Sequence, residues 1–384
     1  MDKKVKKIIG KDSPKRIEEL DILKALAIIC IVAGHSDAPF THFLCLFHVA
    51  VFFTASGFFF KERSSDDLNG LFRGIKSKFK QLWFPFFVWN MIFVLLHNCF
   101  IRINIYTDNP DIFNYVSGTY IGTKDYYDLS QMLIRIVKGS AFRTEEGLLG
   151  ACWFLETLFL VSIGYLVVDF IIKRLFKKHI LIIQGIIAIL LLAVGFFCSL
   201  KGLALFGLAR ALSSYWLYYI GHVLAVYKDR YINWSALRYG IVLVISFCIL
   251  LGLNMIGSIV LSANNYENPV YLIATSISGW CFLFSLAHFI GMIPGLKKLM
   301  ATVGKRTLSV VLFHFLAMKT VAVIIIMYYG LPAFCVSAFP NLYGEKGWWA
   351  LYTLAGVGLP VLVNMIYHLS INRITALGAK LKLG

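Results

Sequence analysis

Ten apolar stretches divide this chain, each long enough or nearly so to cross a hydrocarbon layer about 30 Å thick. They fall near residues 20–38, 43–61, 81–103, 148–172, 179–200, 203–226, 237–262, 269–292, 307–330 and 347–371. Only 15% of residues are charged and 59% are hydrophobic, whereas a soluble domain carries about 25% charged residues. The chain therefore reads as an all-α integral membrane protein of about ten transmembrane helices.

The net charge of +17 tests that reading through its distribution. Of the 37 Lys and Arg residues, 27 lie in six segments: 1–20, 61–80, 173–178, 227–238, 297–306 and 373–384. If ten helices alternate, all six lie on one side, and the opposite connections near 201, 263–268 and 331–346 are poor in Lys and Arg. This is the positive-inside pattern. It predicts that both termini are cytoplasmic and removes the need for a nucleic-acid partner. The expected organisation is a basic cytoplasmic tail over 1–19, a membrane domain over 20–372 and a second tail over 373–384. The tail is too long and charged for a signal peptide, so the first helix is expected to be retained.

One outer connection, about 104–147, is long enough to be functional, and its SQMLIRIVKG segment predicts a short amphipathic helix. The eight cysteines are scattered without CxxC spacing. They read as packing residues, and neither a metal site nor a disulfide framework is expected.

Ionisable side chains inside spans usually face a polar cavity and mark function. In DILKALAIICIVAGHSD (21–37), Lys24 and His35 stand eleven residues apart. Eleven residues come within about 20° of three full turns, so both share one face, about 16 Å apart along the axis. Alternating spans bring His48, Glu156 and Arg210 to outer-middle depth, with His314 and Lys319 on the ninth. Each has a plainer reading. His48 and His314 could be hydrogen-bonded packing residues, Lys24 a snorkelling anchor, and Arg210 and Lys319 structural partners of Glu156. The shared face of Lys24 and His35 is the feature these readings leave unexplained.

Four segments carry a resemblance. KALAIICIVAGH (24–35) is similar to the Arg/Lys, ten residues, His signature that opens the acyltransferase-3 family of integral membrane acyltransferases acting on carbohydrates. FHVAVFFTASGFFF (47–60), CWFLETLFL (152–160) and VGKRTLSVVLFH (303–314) resemble its later segments in family order, with a weaker match in ALSSYWLYYIGHVLA (211–225). The opening looks closest to the fucose 4-O-acetylase-like branch. Val49-Ala50 stands where the family often has a residue and Pro, and Glu156 where an apolar residue or Pro is common. No fused extracytoplasmic esterase-like domain is matched.

The resemblance implies acetyl-CoA as cytoplasmic donor, a glycan hydroxyl or its lipid-linked precursor as acceptor, a cell (inner or plasma) membrane setting, and no metal. On that footing Lys24, Arg73, Lys76 and Lys78 are expected to offer countercharge to CoA phosphates. His35 is expected to act as base, with Glu156, or failing that Asp37, orienting its ring. Arg210 and Lys319 are candidates for oxyanion or substrate binding, and His48 and His314 for shaping the substrate site. A transporter or flippase for a glycan precursor is the alternative from a different class, although no inverted repeat or matched pair of broken helices is seen.

Overall fold

The computed structural model describes residues 17–116 and 124–381. Most of the first basic tail and residues 382–384 of the second lie outside the described residues. The chain is an all-α membrane protein. Its helices are α1 (Glu18–Gly34), α2 (Thr41–Cys45), α3 (His48–Phe58), α4 (Leu68–Lys78), α5 (Phe84–Arg102), α6 (Leu129–Ser140), α7 (Trp153–Leu175), α8 (Ile180–Leu200), α9 (Leu208–Val226), α10 (Ala236–Asn254), α11 (Pro269–Gly291), α12 (Pro294–Gly304), α13 (Thr307–Tyr329) and α14 (Trp349–Leu381).

Among the described residues, eight helical segments are long and apolar enough to cross a membrane. The two expected spans that fall short, α1 and α9, are the 17-residue helix of Lys24 and the tyrosine-, serine- and arginine-bearing helix of Arg210. Both are largely buried within the bundle. An apolar helix surrounded by protein needs no lipid-facing stripe, and α1 packs against α3, α11, α12 and α14. At the periphery, α8 and α10 turn rows of Ile, Leu and Val outward, and only 28% and 17% of their most apolar windows are buried.

Close helix approach depends on glycine at two reciprocal positions. A Cβ on Gly57 of α3 would fall 1.9 Å from the Tyr218 carbonyl oxygen of α9, and one on Gly221 of α9 equally close to the Thr54 carbonyl. Without a hydrophobic drive between helices in lipid, such small-residue contacts set helix–helix packing.

Three local departures from the expected spans matter for the site. The stretch 43–61 is broken into α2 and α3 around Phe47, so His48 opens a new helix. The apolar run 237–262 is helical only to Asn254. Beyond Gly257, β-branched Ile259 and Val260 form a short antiparallel pairing with Asn265–Tyr266 instead. The expected third span begins earlier, because α4 runs through a π-turn at Phe79–Trp83, just before Pro85, into α5. In the 104–147 connection, α6 forms where the amphipathic helix was expected, started by an Asp128–Gln131 capping box. That connection is pinned by His97 of α5, whose Nδ1 lies 3.0 Å from Glu146 and whose Nε2 lies 3.1 Å from the Asp125 carbonyl.

Candidate active site

α1 ends at His35, whose backbone N–H caps the helix on the Ile31 and Val32 carbonyls. The following turn passes through Asp37 at φ 57. Asn341 clamps this turn from a distant loop: its Nδ2 donates to the His35 carbonyl (3.1 Å) and to Asp37 Oδ2 (2.9 Å), and its Oδ1 accepts from the Gly344 N–H (2.9 Å). The His35 ring stacks on His314 of α13, with centroids 5.5 Å apart and planes at 25°, and leans on Phe315 at 4.9 Å.

His48 and His314 are fixed in one tautomer by local geometry. Each sits one helical turn after a backbone carbonyl that faces its Nδ1, Leu44 for His48 (2.5 Å) and Val310 for His314 (2.8 Å). A ring nitrogen facing a carbonyl carries the proton, so each Nε2 presents a lone pair. That of His314 is buried without a partner among the described residues. His35, His48 and His314 line one cavity of about 240 Å³, otherwise walled chiefly by apolar side chains including Ile31, Val49, Leu261 and Val311.

Lys24, three turns earlier on α1, opens onto a second cavity of about 320 Å³, together with Ser56, Phe59, Gln81 and Thr307. Its ammonium pairs with Asp21 at 2.9 Å and lies 5.6 Å from the Phe59 ring centroid. Phe154 and Val311 line both cavities. Phe154 is held edge-on by Phe52 and Phe53, with centroids at 5.7 and 5.1 Å. Arg73 and Lys76 are exposed on α4 and Lys78 is partly so. None of the three lines the Lys24 cavity, although Gln81 and Leu82, further along the same helical rod, do.

A third cavity of about 570 Å³ adjoins the histidine cavity, and Ser262 lines both. Arg210 of α9 donates to the Ser262 carbonyl and to Glu156, both at 2.8 Å, with its guanidinium 5.3 Å from the Trp153 centroid. Arg143 reaches the same carboxylate at 3.4 Å. Glu156 thus belongs to an arginine clamp, and Asp37 to Asn341. Among the described residues neither carboxylate is bonded to the His35 ring, so the orienting role expected of them falls instead to backbone tethering and ring stacking. Lys319 is likewise committed: it donates to the Ser337 (3.1 Å) and Ala338 (2.6 Å) carbonyls beside Phe339, which packs on Phe315 behind the histidine pair.

The structure therefore brings His35, His48 and His314 together, sets Lys24 in the adjoining cavity and Arg210 in the wall of the third, with Glu156 paired to Arg210 outside the lining, and leaves Arg73 and Lys76 outside all three. Sequence reasoning missed Asn341, Arg143 and Phe154. Phe154 sits inside a quoted segment, CWFLETLFL. The other two are ordinary polar residues in connections, and no local pattern distinguishes them.

A partly buried imidazole beside those of His48 and His314, in a cavity that adjoins two others, suits transfer of a group between two bound substrates. Comparison with known proteins bears on which group. The family model described as an acyltransferase domain, acyltransferase 3, matches residues 17–369. No curated protein and no solved structure matches the chain. The match takes in the helices that bear all three histidines, Lys24 and Arg210, and the chain belongs to the acyltransferase-3 family of membrane acyltransferases.

Proposed function

We propose that this acyltransferase moves an acetyl group from cytoplasmic acetyl-CoA to a hydroxyl of a surface glycan or its lipid-linked precursor, in the manner of the fucose 4-O-acetylase-like branch. It would do so from the cell (inner or plasma) membrane, with ten spans and both termini on the cytoplasmic side. The observation that carries this reading is the meeting of the Lys24 and His35 cavities at Phe154 and Val311. A nucleotide with several phosphates cannot enter the bilayer, but a slim pantetheine arm can span about the 16 Å of helix between Lys24 and His35.

In this reading the CoA phosphates stay at the basic inner face, with Lys24 at the cavity mouth and Arg73 and Lys76 as outlying countercharge. The thioester passes between Phe154 and Val311. The acceptor enters from the Arg210 side, and its hydroxyls donate to the Nε2 lone pairs of His48 and His314. His35 takes the hydroxyl proton as the oxygen bonds to the thioester carbonyl carbon. As the carbon–sulfur bond breaks, the imidazolium returns that proton to the departing CoA thiolate. Arg210, held by Glu156, supplies positive charge beside the developing oxyanion, and Lys319 supports the loop behind the histidines.

The test is a purified-protein assay in nanodiscs with acetyl-CoA and a glycan acceptor, reading both CoA thiol release and the mass of the acceptor. Stoichiometric thiol release with gain of one acetyl group supports the reading. Movement of labelled lipid-linked glycan across a vesicle without thiol release overturns it in favour of a flippase.

A further inference from the structure

The third cavity has a charge character that the acetyl-transfer reading uses only through Arg210. Its charged lining consists of Arg143 and Arg210, with no carboxylate among the lining residues. Glu156 touches both guanidiniums, at 3.4 and 2.8 Å, and neutralises one positive charge of the two. Desolvated polar groups also remain uncommitted there. Among the described residues Arg210 Nε is buried without a partner, and so is the Oδ1 of Asn264, a lining residue only 4% exposed whose Nδ2 is spent on the Gly195 carbonyl. A buried donor or acceptor left unmade is costly, and both atoms belong to residues that wall the cavity.

The rim adds a second feature. Leu205, Phe206 and Gly207 follow one another at φ 45, 53 and 82, and the first two are non-glycine residues in the left-handed region. Strain of this kind persists where the surroundings hold it, often at ligand sites. Here the turn presses Gly207 onto the Glu156 carboxylate, where a Cβ would sit 2.8 Å away. It also leaves the Phe206 ring 82% exposed, with Arg143 5.0 Å from its centroid. An exposed ring beside the Arg143 guanidinium offers a flat platform for a sugar face and a fork for an anion.

We infer that this cavity is the acceptor subsite and that it takes an acidic sugar, one bearing a carboxylate or a phosphate, with Arg143 as the selecting charge. The inference rests on the acetyl-transfer reading for the word acceptor, but its anion preference can be measured without catalysis. Saturation-transfer NMR on His35→Ala protein in nanodiscs of zwitterionic lipid would compare methyl glucuronide, glucose 1-phosphate and neutral methyl glucoside. Binding of at least one anionic probe about tenfold tighter than the glucoside is expected, with the tighter of the two anions identifying carboxylate or phosphate. Arg143→Gln should remove that preference and Arg143→Lys should keep most of it. Equal binding of all three probes, or a preference that survives Arg143→Gln in folded protein, overturns the inference. If the preference holds while wild-type protein acetylates none of the probes and no glycan acceptor, the anion site stands and the acetyl-transfer reading fails.

Discussion

Asn341 offers the sharpest test of how His35 is held. It is 3% exposed and makes three hydrogen bonds, two of which satisfy backbone groups, the His35 carbonyl and the Gly344 N–H. Asn341→Ala orphans both. At about 1–3 kcal/mol for each buried unsatisfied group, the expected loss of stability is about 2–6 kcal/mol. The functional effect should be larger than the structural one. His35 sits at the end of α1, and the tether fixes the turn that aims its ring, so a displacement of about 1 Å would cost about 100-fold in kcat. The KM for acetyl-CoA should stay within about threefold, because no group in the Lys24 cavity is touched. Asn341→Asp should be no better than alanine. It keeps the acceptor for Gly344 but loses the donor and sets a carboxylate against Asp37. Thiol-release kinetics in nanodiscs, with thermal unfolding of the same samples, separate the effects. A folded Asn341→Ala protein with wild-type kcat would refute the positioning argument, as would a change confined to KM.

Three further outcomes follow from the same geometry. Lys24→Ala should raise the KM for acetyl-CoA about tenfold while Lys24→Arg restores it, read by thiol-release kinetics, since charge at the cavity mouth is the role assigned. Phe154→Ala should relax acyl length: two extra methylenes at about 0.8 kcal/mol each would raise the butyryl-to-acetyl ratio of kcat/KM about 15-fold, and an unchanged ratio would remove Phe154 from the acyl path. Gly57→Ala should destabilise the α3–α9 contact by about 1–3 kcal/mol or more, whereas Gly164→Ala, with nothing within 4 Å of its Cβ, should be neutral or stabilising in the same thermal melt.

The membrane character of the fold was legible because the bilayer imposes length and apolarity on each span, and each of the ten expected stretches holds a long helix or, in the second, a broken one. What misled was apolar sequence that is buried by protein. The run ending at Val260 reads as span, yet its β-branched end folds into the hairpin that helps wall the histidine cavity. The site was legible where its residues repeat on one helix, as Lys24 and His35 do at three-turn spacing. It was not legible where residues distant in sequence converge. Glu156 was open to two readings, a partner for His35 or a structural partner of Arg210, because depth along a helix can be estimated from sequence while azimuth between helices cannot. The structure pairs it with Arg210, as the plainer reading had it, and adds Arg143, which that reading did not include. Lys319 drew attention as a costly buried cation, and two backbone carbonyls satisfy it. Asn341 was invisible because its work is done 306 residues away from His35.

The account stands on His35 as the base that serves both substrates. The measurement that addresses it most directly is the acetyl content of the cell's glycans, by mass spectrometry, in cells carrying wild-type or His35→Ala protein at matched membrane levels. The account predicts that the mutant glycans lose the mass of one acetyl group per modified residue while the protein remains folded and inserted. Glycans acetylated at the wild-type level by His35→Ala protein would contradict it.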